Sequence, residues 1–314
     1  MSKKVFAVRP YQWPGRFNFK IPAYDGWVKA GGLTAPSHYP YKIFHGLVFR
    51  ADIKKRFFFH NEARLRFVQP VSIKFDSFPD HILYEIIPFV WDCWPQYFDM
   101  LAEFFERHKV RTSIFTSSQV ATLFQKRFPD MNVLFCPEGI DSSVYKFGGE
   151  LNERSLDLLE YGRVSKNIFE INVPKSIRHS YRKNGVLQFS TNEELFNALA
   201  DAKITISLPQ SMTNPEVAEG IETLTQRYWE CMLSGTILLG HAPKELVNLV
   251  GYNPVIELDE SNANEQILDI LAHIEDYQPL VNKNREFALE FGNWAFRMKM
   301  VMEWLESIGY KTKL

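Results

Sequence analysis

Two carboxylates, Glu222 and Glu230, lie eight positions apart in the segment ETLTQRYWECMLSGTILLG, with Arg227 between them. An arginine in the first turn of a helix is locally misplaced, because the free backbone amides and the helix dipole there already favour anions. A bound phosphate resolves that conflict, so the residue types point to anion binding flanked by two hydrogen-bond-accepting carboxylates. Spacing alone is weak: with 24 Glu in 314 residues, about two such pairs arise by chance. The same residues also fit an ordinary amphipathic helix with a surface arginine and two solvated carboxylates.

The elements that must position these groups can be read locally. Thr223 and Gln226 have capping-box spacing, Leu224, Tyr228 and Met232 repeat at helical period, and Gly235 is a good terminator, which predicts a helix over 224–234. Ile237 to Leu239 then reads as a short buried strand. Glu222 is expected in the mobile loop before the helix, and Glu230 fixed two turns in.

The rest of the chain alternates strand and helix from Ile82 onward. YEIIPFV, SIFTSS and NVLFCPEG read as strands, and Gln96 to His108 and Val120 to Phe128 as helices, a pattern that calls for a parallel sheet. In the second half GVLQFS, EELFNALADAK and ITISLP give strand, helix and strand. Lys4 to Val8 is a first strand, followed by a loop region from Arg9 to Pro40 whose Gly31-Gly32 pair could bring backbone amides to a ligand. Asp92 follows the strand at 84–90, where ligands of open α/β sheets bind; it either meets a ligand there or is the N-cap of the helix after it. A linker is expected over KFGGELNER, residues 146–154, and a helix beginning at Pro174 would carry the basic run Lys175, Arg178, His179, Arg182 and Lys183. That run is a solvated face, or a peripheral contact with an anionic membrane. Asn282 to Ile308 reads as one or two amphipathic helices. His81, His108, His179 and His241 have no partner identifiable by spacing.

Composition narrows the class. The chain suggests two domains, is 46% hydrophobic and 23% charged, and has a formal charge of −1, which offers no basic field for a nucleic-acid partner. Cys93, Cys136 and Cys231 form no metal or disulfide pattern and indicate a reducing compartment. No apolar run reaches membrane-span length and the N-terminus has no signal-peptide core, so a cytoplasmic, non-transmembrane protein is expected.

The Glu222 to Gly240 segment resembles the carboxylate signature of GT-B glycosyltransferases of the retaining, nucleotide-sugar-dependent kind (group 1, family 4-like). In that family two Glu flank seven residues before a small-residue helix end and an apolar strand. LLEYGRVSK, residues 158–166, is similar to the segment opening the family's nucleotide-binding domain, and Pro137-Glu138-Gly139-Ile140-Asp141 with Tyr145 to the turn closing the first domain. The family's Gly-Phe-Gly-Leu-Pro run is here TLTQR, without glycines. The resemblance implies an α/β fold of two Rossmann-like doubly wound domains facing a cleft: an acceptor-side domain over 1–150, a nucleotide-sugar domain over 151–290, and a C-terminal helix over 291–314 returning to the first domain. It implies sugar transfer from a nucleotide-diphosphate donor, with UDP or GDP as the nucleotide and no further cofactor or metal, to a saccharide or other glycan acceptor in surface polysaccharide or glycoconjugate synthesis. Glu222 and Asp92 would act at the reacting sugar, and Glu230, Arg163, Lys166, Arg227 and Thr225 would bind the donor.

Overall fold

The computed structural model describes residues 2–10, 19–37, 64–162, 170–182 and 188–314. The chain forms two units, one of Met1–Pro137 with Trp294–Leu314, the other of Glu138–Asn293. Each is built on its own parallel sheet, so the α/β reading of the alternation holds for both halves.

In the first unit the strands β1 (Lys4–Val8), β2 (Thr34–Ala35), β3 (Arg64–Val68), β4 (Glu85–Val90), β5 (Thr112–Phe115) and β6 (Asn132–Phe135) lie in the order β2-β1-β3-β4-β5-β6. The register pairs Phe67 with Ile87 and Phe89 with Ile114. Alternate residues therefore reach the same face, where Leu65, Phe67, Ile87, Phe89 and Trp91 pack with Trp27, Trp294 and Met298. Helices Phe98–His108 and Ser118–Arg127 connect the later strands, each within two residues of its predicted span.

The stretch expected to be loop contains a helix, Lys20–Lys29. Pro22 and Gly26 read as breakers, but a proline is tolerated in a first turn and Gly26 has a packing role. A Cβ at Gly26 would lie 2.6 Å from the carbonyl carbon of Trp294, so the glycine lets this helix approach the Trp294–Ser307 helix at backbone distance. Gly31 and Gly32 end the helix: their amides donate to the carbonyls of Val28 and Trp27, and the Trp27 indole donates to Leu33. Those two amides are committed to the helix end, which removes the ligand-loop reading of the pair.

In the second unit β7 (Leu156–Leu159), β8 (His179–Ser180), β9 (Ala202–Ser207), β10 (Ile237–Gly240) and β11 (Ile256–Glu257) run in the order β11-β10-β9-β7-β8. Apolar clusters cover the sheet: Leu159, Leu199, Trp229 and Leu238 in one, Leu158, Ile204, Leu239 and Ile267 in the other. Residues such as Leu158/Leu159 and Leu238/Leu239 divide between them, which is why the strands read as continuous apolar runs. The Asn192–Asp201 helix has its N-cap at Thr191, whose hydroxyl accepts from the Glu194 amide while the Glu194 carboxylate accepts from the Ser190 amide. Of GVLQFS, Gly185 to Leu187 lie outside the described residues, and Gln188 to Ser190 are not in a strand.

Two local expectations fail. Residues 174–178 are not helical; the Arg178 carbonyl instead accepts from the amides of Asp157 and Leu158, leading into β8. Residues 146–154 are not a spacer. They sit inside the second unit, where a Cβ on Gly148 would be 1.7 Å from the Ala200 carbonyl oxygen and Phe147 lies under the Arg285 guanidinium at 4.7 Å. Because backbone cannot yield as a side-chain tip can, Gly148→Ala is expected to destabilise the protein by about 1–3 kcal/mol, seen as a lower urea midpoint. Among the described residues no helix is long and apolar enough to cross a membrane.

Candidate functional site

The helix predicted over 224–234 runs from Gln226 to Ser234. Its N-cap is Thr225, in extended conformation and without a side-chain cap, so the capping box expected between Thr223 and Gln226 does not form. Leu224 precedes the helix, and its amide donates to the Glu245 carboxylate at 2.9 Å. At the far end Gly235 adopts φ 71°, and the amides of Gly235 and Thr236 bond back to Met232 and Cys231, the termination its glycine signalled. The buried face presents Tyr228, Trp229, Met232 and Leu233; the Trp229 indole donates to the Glu138 carbonyl at 2.8 Å.

Glu222 has partners for both of its oxygens. One carboxylate oxygen lies 3.0 Å from His241 Nε2 and the other accepts from the Lys244 amide at 3.2 Å, leaving the side chain 20% exposed. His241 immediately follows β10; its amide donates to Ser207 and its carbonyl accepts from the Tyr228 hydroxyl at 2.7 Å. The other ring nitrogen, Nδ1, faces Glu257 Oε2 at 3.1 Å. Glu257 is in turn seated by the Ala242 amide at 3.3 Å and Asn253 Nδ2 at 3.2 Å.

Glu230, half-buried one turn into the helix, receives one hydroxyl on each oxygen: Tyr145 at 3.0 Å and Tyr161 at 2.7 Å. Burial, reinforced by the neighbouring carboxylate, pushes both phenols well above their ordinary range, so they stay protonated donors. An ionised carboxylate has about four acceptor positions, which leaves Glu230 able to accept further hydroxyls. Arg227 lies over the Tyr161 ring at 5.2 Å and against Gly162, where a Cβ would stand 2.2 Å from its terminal nitrogen. Gly162, at φ 75°, thus admits the guanidinium across the turn. Arg163 and Lys166, which follow that turn, lie outside the described residues.

The site therefore groups Glu222, Thr225, Arg227 and Glu230 around one helix start in the second unit, with His241, Glu257, Tyr145 and Tyr161 completing it. Asp92 belongs to the first unit. It is exposed at the carboxyl end of β4 with φ 46°, and the caps of the following turn and helix are Trp94 and Tyr97, so it is not an N-cap. A non-glycine residue in left-handed conformation beyond a central strand is a feature of functional loops. Among the residues missed from sequence, His241 carried one usable signal, its place just past a buried parallel strand. Tyr161 stood inside the LLEYGRVSK segment without a role.

Of the cysteines, Cys231 meets the Tyr161 hydroxyl through its sulfur at 3.6 Å. Burial pushes the thiols of Cys93, Cys136 and Cys231 up to about 12, about 11 and about 12. They are neutral at pH 8, and iodoacetamide is expected to label the folded protein slowly compared with the urea-unfolded chain, as mass spectrometry would show.

The two parallel sheets with their helices form the GT-B glycosyltransferase fold. AviGT4, a glycosyltransferase involved in Avilamycin A biosynthesis, is 13% identical over 98% of both chains with a TM-score of 0.56. Sucrose-phosphate synthase from Thermosynechococcus elongatus is 10% identical over 98% of this chain and 99% of its own, with a TM-score of 0.58. HepE of Anabaena, in complex with UDP and glucose, is 12% identical over 97% of this chain and 100% of its own, with a TM-score of 0.56. No protein-family model matches the chain, and no curated protein is similar to it in sequence.

Proposed function

We propose that the protein is a glycosyltransferase that moves a sugar from a nucleotide-diphosphate donor to a saccharide or other glycan acceptor, with retention and without a metal ion, in surface polysaccharide or glycoconjugate synthesis. The carrying observation is the pair of immobilised carboxylates, Glu222 and Glu230, about a helix start bearing Arg227. The fold shared with HepE, whose structure contains UDP and glucose, supports a nucleotide-sugar donor.

Glu230, its rotamer set by two tyrosine hydroxyls, offers remaining lone pairs to the vicinal hydroxyls of a ribose. The negative charge that develops on the leaving diphosphate is taken by Arg227, Arg163 and Lys166 and by the open amides of the first helical turn behind Thr225. Glu222 orients donor-sugar hydroxyls and stabilises oxocarbenium-like charge at the anomeric carbon. Asp92 orients or deprotonates the acceptor hydroxyl. The acceptor is a saccharide, and any membrane association is peripheral.

A thermal-shift screen against UDP, GDP, CMP, ADP and dTDP and their sugar conjugates tests this reading, since a ligand that binds only the folded state raises the melting temperature. A shift confined to one nucleotide family is expected; no shift on folded protein would favour a non-catalytic subunit of a glycan assembly. Glu230→Ala is expected to weaken the nucleotide that responds by about 1–3 kcal/mol, measured by calorimetric titration. Unchanged affinity would sink the donor-site assignment.

A further inference from the structure

We propose that His241, backed by Glu257, is a positioning residue that holds Glu222 in its working orientation, and that its ring carries both protons when it does so. The inference rests on the donor-site reading above, but it concerns residues that the paired carboxylates and the arginine do not include.

Both imidazole nitrogens of His241 face carboxylate oxygens, Nε2 toward Glu222 at 3.0 Å and Nδ1 toward Glu257 at 3.1 Å. An ionised carboxylate can only accept, and a neutral imidazole has one N–H and one lone pair. Only the imidazolium can donate to both, so loss of either proton points a lone pair at a carboxylate and must break one contact. The residue's backbone is fixed on both sides, its amide donating to Ser207 and its carbonyl accepting from Tyr228, which places the ring between the two carboxylates. Glu257 is likewise seated by the Ala242 amide and Asn253. The chain of contacts runs from an anchored carboxylate through a doubly donating ring to one oxygen of Glu222, while the Lys244 amide takes the other.

The groups facing the ring are Glu222 from the loop before the helix and Glu257 from β11, and the Tyr228 hydroxyl from the helix meets the His241 carbonyl. Burial, offset by Arg227 and reinforced by Glu222, keeps Tyr228 protonated well above its ordinary range, so it does not compete for the imidazole protons.

The test has two arms on the full chain. Nitrogen-15 spectra of the histidine rings, with His241→Gln to assign the signal, are expected to show both ring nitrogens protonated at about pH 6. A single-proton tautomer there, with Glu222 and Glu257 intact, overturns the proposal whatever the activity. In the second arm, kcat, KM and nucleotide affinity are measured for His241→Gln and Glu257→Gln, with folding checked by melting temperature. Both variants are expected to lose between about ten- and a hundredfold in kcat, with nucleotide affinity unchanged. Wild-type turnover matched by His241→Gln overturns the positioning role and leaves the donor reading standing. Absence of nucleotide-sugar binding by the wild type overturns the donor reading and the positioning role together, and the ring spectra then report only a structural contact.

Discussion

Glu222→Ala is expected to lower turnover by about 10²-fold, an increase of about 2.7 kcal/mol in the barrier, while nucleotide affinity falls by much less. Glu222 is held by His241 and the Lys244 amide rather than swinging in a loop, so it is preorganised and needs little rearrangement as charge develops on the sugar. An interaction that strengthens only as that charge appears is lost from kcat rather than from ground-state binding. Steady-state kinetics with calorimetric nucleotide titration separates the two. Equal losses in both, together with a lowered melting temperature, would indicate a damaged fold and would refute the catalytic assignment.

The largest effect on stability is expected from Trp229→Ala, at about 3–5 kcal/mol. Trp229 is fully buried on the helix that carries Arg227 and Glu230, stacks parallel to Phe287 at 6.5 Å, and donates its indole N–H to Glu138. Removing the ring leaves a cavity beside the helix Gln278–Phe291 and also strips the Glu138 carbonyl of its donor. Trp229→Phe retains most of the apolar volume and should cost clearly less. Urea denaturation of the three proteins checks the order; equal midpoints for the two variants would show that the cavity is not the main cause of the lost stability.

Much of this site could be read from local pattern. The helix bearing Glu230 begins two residues later than its periodicity suggests, with Thr225 extended as its N-cap and the Leu224 amide held by Glu245 from another element. The strand after it, the termination at Gly235 and the alternation of the Ile82 to Phe135 region are all as the sequence indicates. The failures share a cause. Gly26 and Gly148 read as breaker and spacer because a glycine's local meaning is conformational freedom, whereas both are needed for a close backbone approach by a segment distant in sequence. The basic run after Pro174 looked helical because its charges fit that period, yet its backbone is claimed by the edge of a sheet.

What the sequence by itself determined is the set of elements and the carriers of chemistry: a parallel α/β chain, two glutamates around a helix start, and an arginine where an anion belongs. Neighbours three or four residues apart encode those features, through helical period, capping types and runs of apolar residues. Only the tertiary structure decided what holds the glutamates. Tyr145 and Tyr161 reach Glu230 across 85 and 69 residues, and His241 reaches Glu222 across 19. Those separations are closed by the order of strands β7, β9 and β10 and by the packing of the helix beside them. Such contacts leave no periodic trace in the chain, because they depend on which strands become neighbours rather than on which residues are.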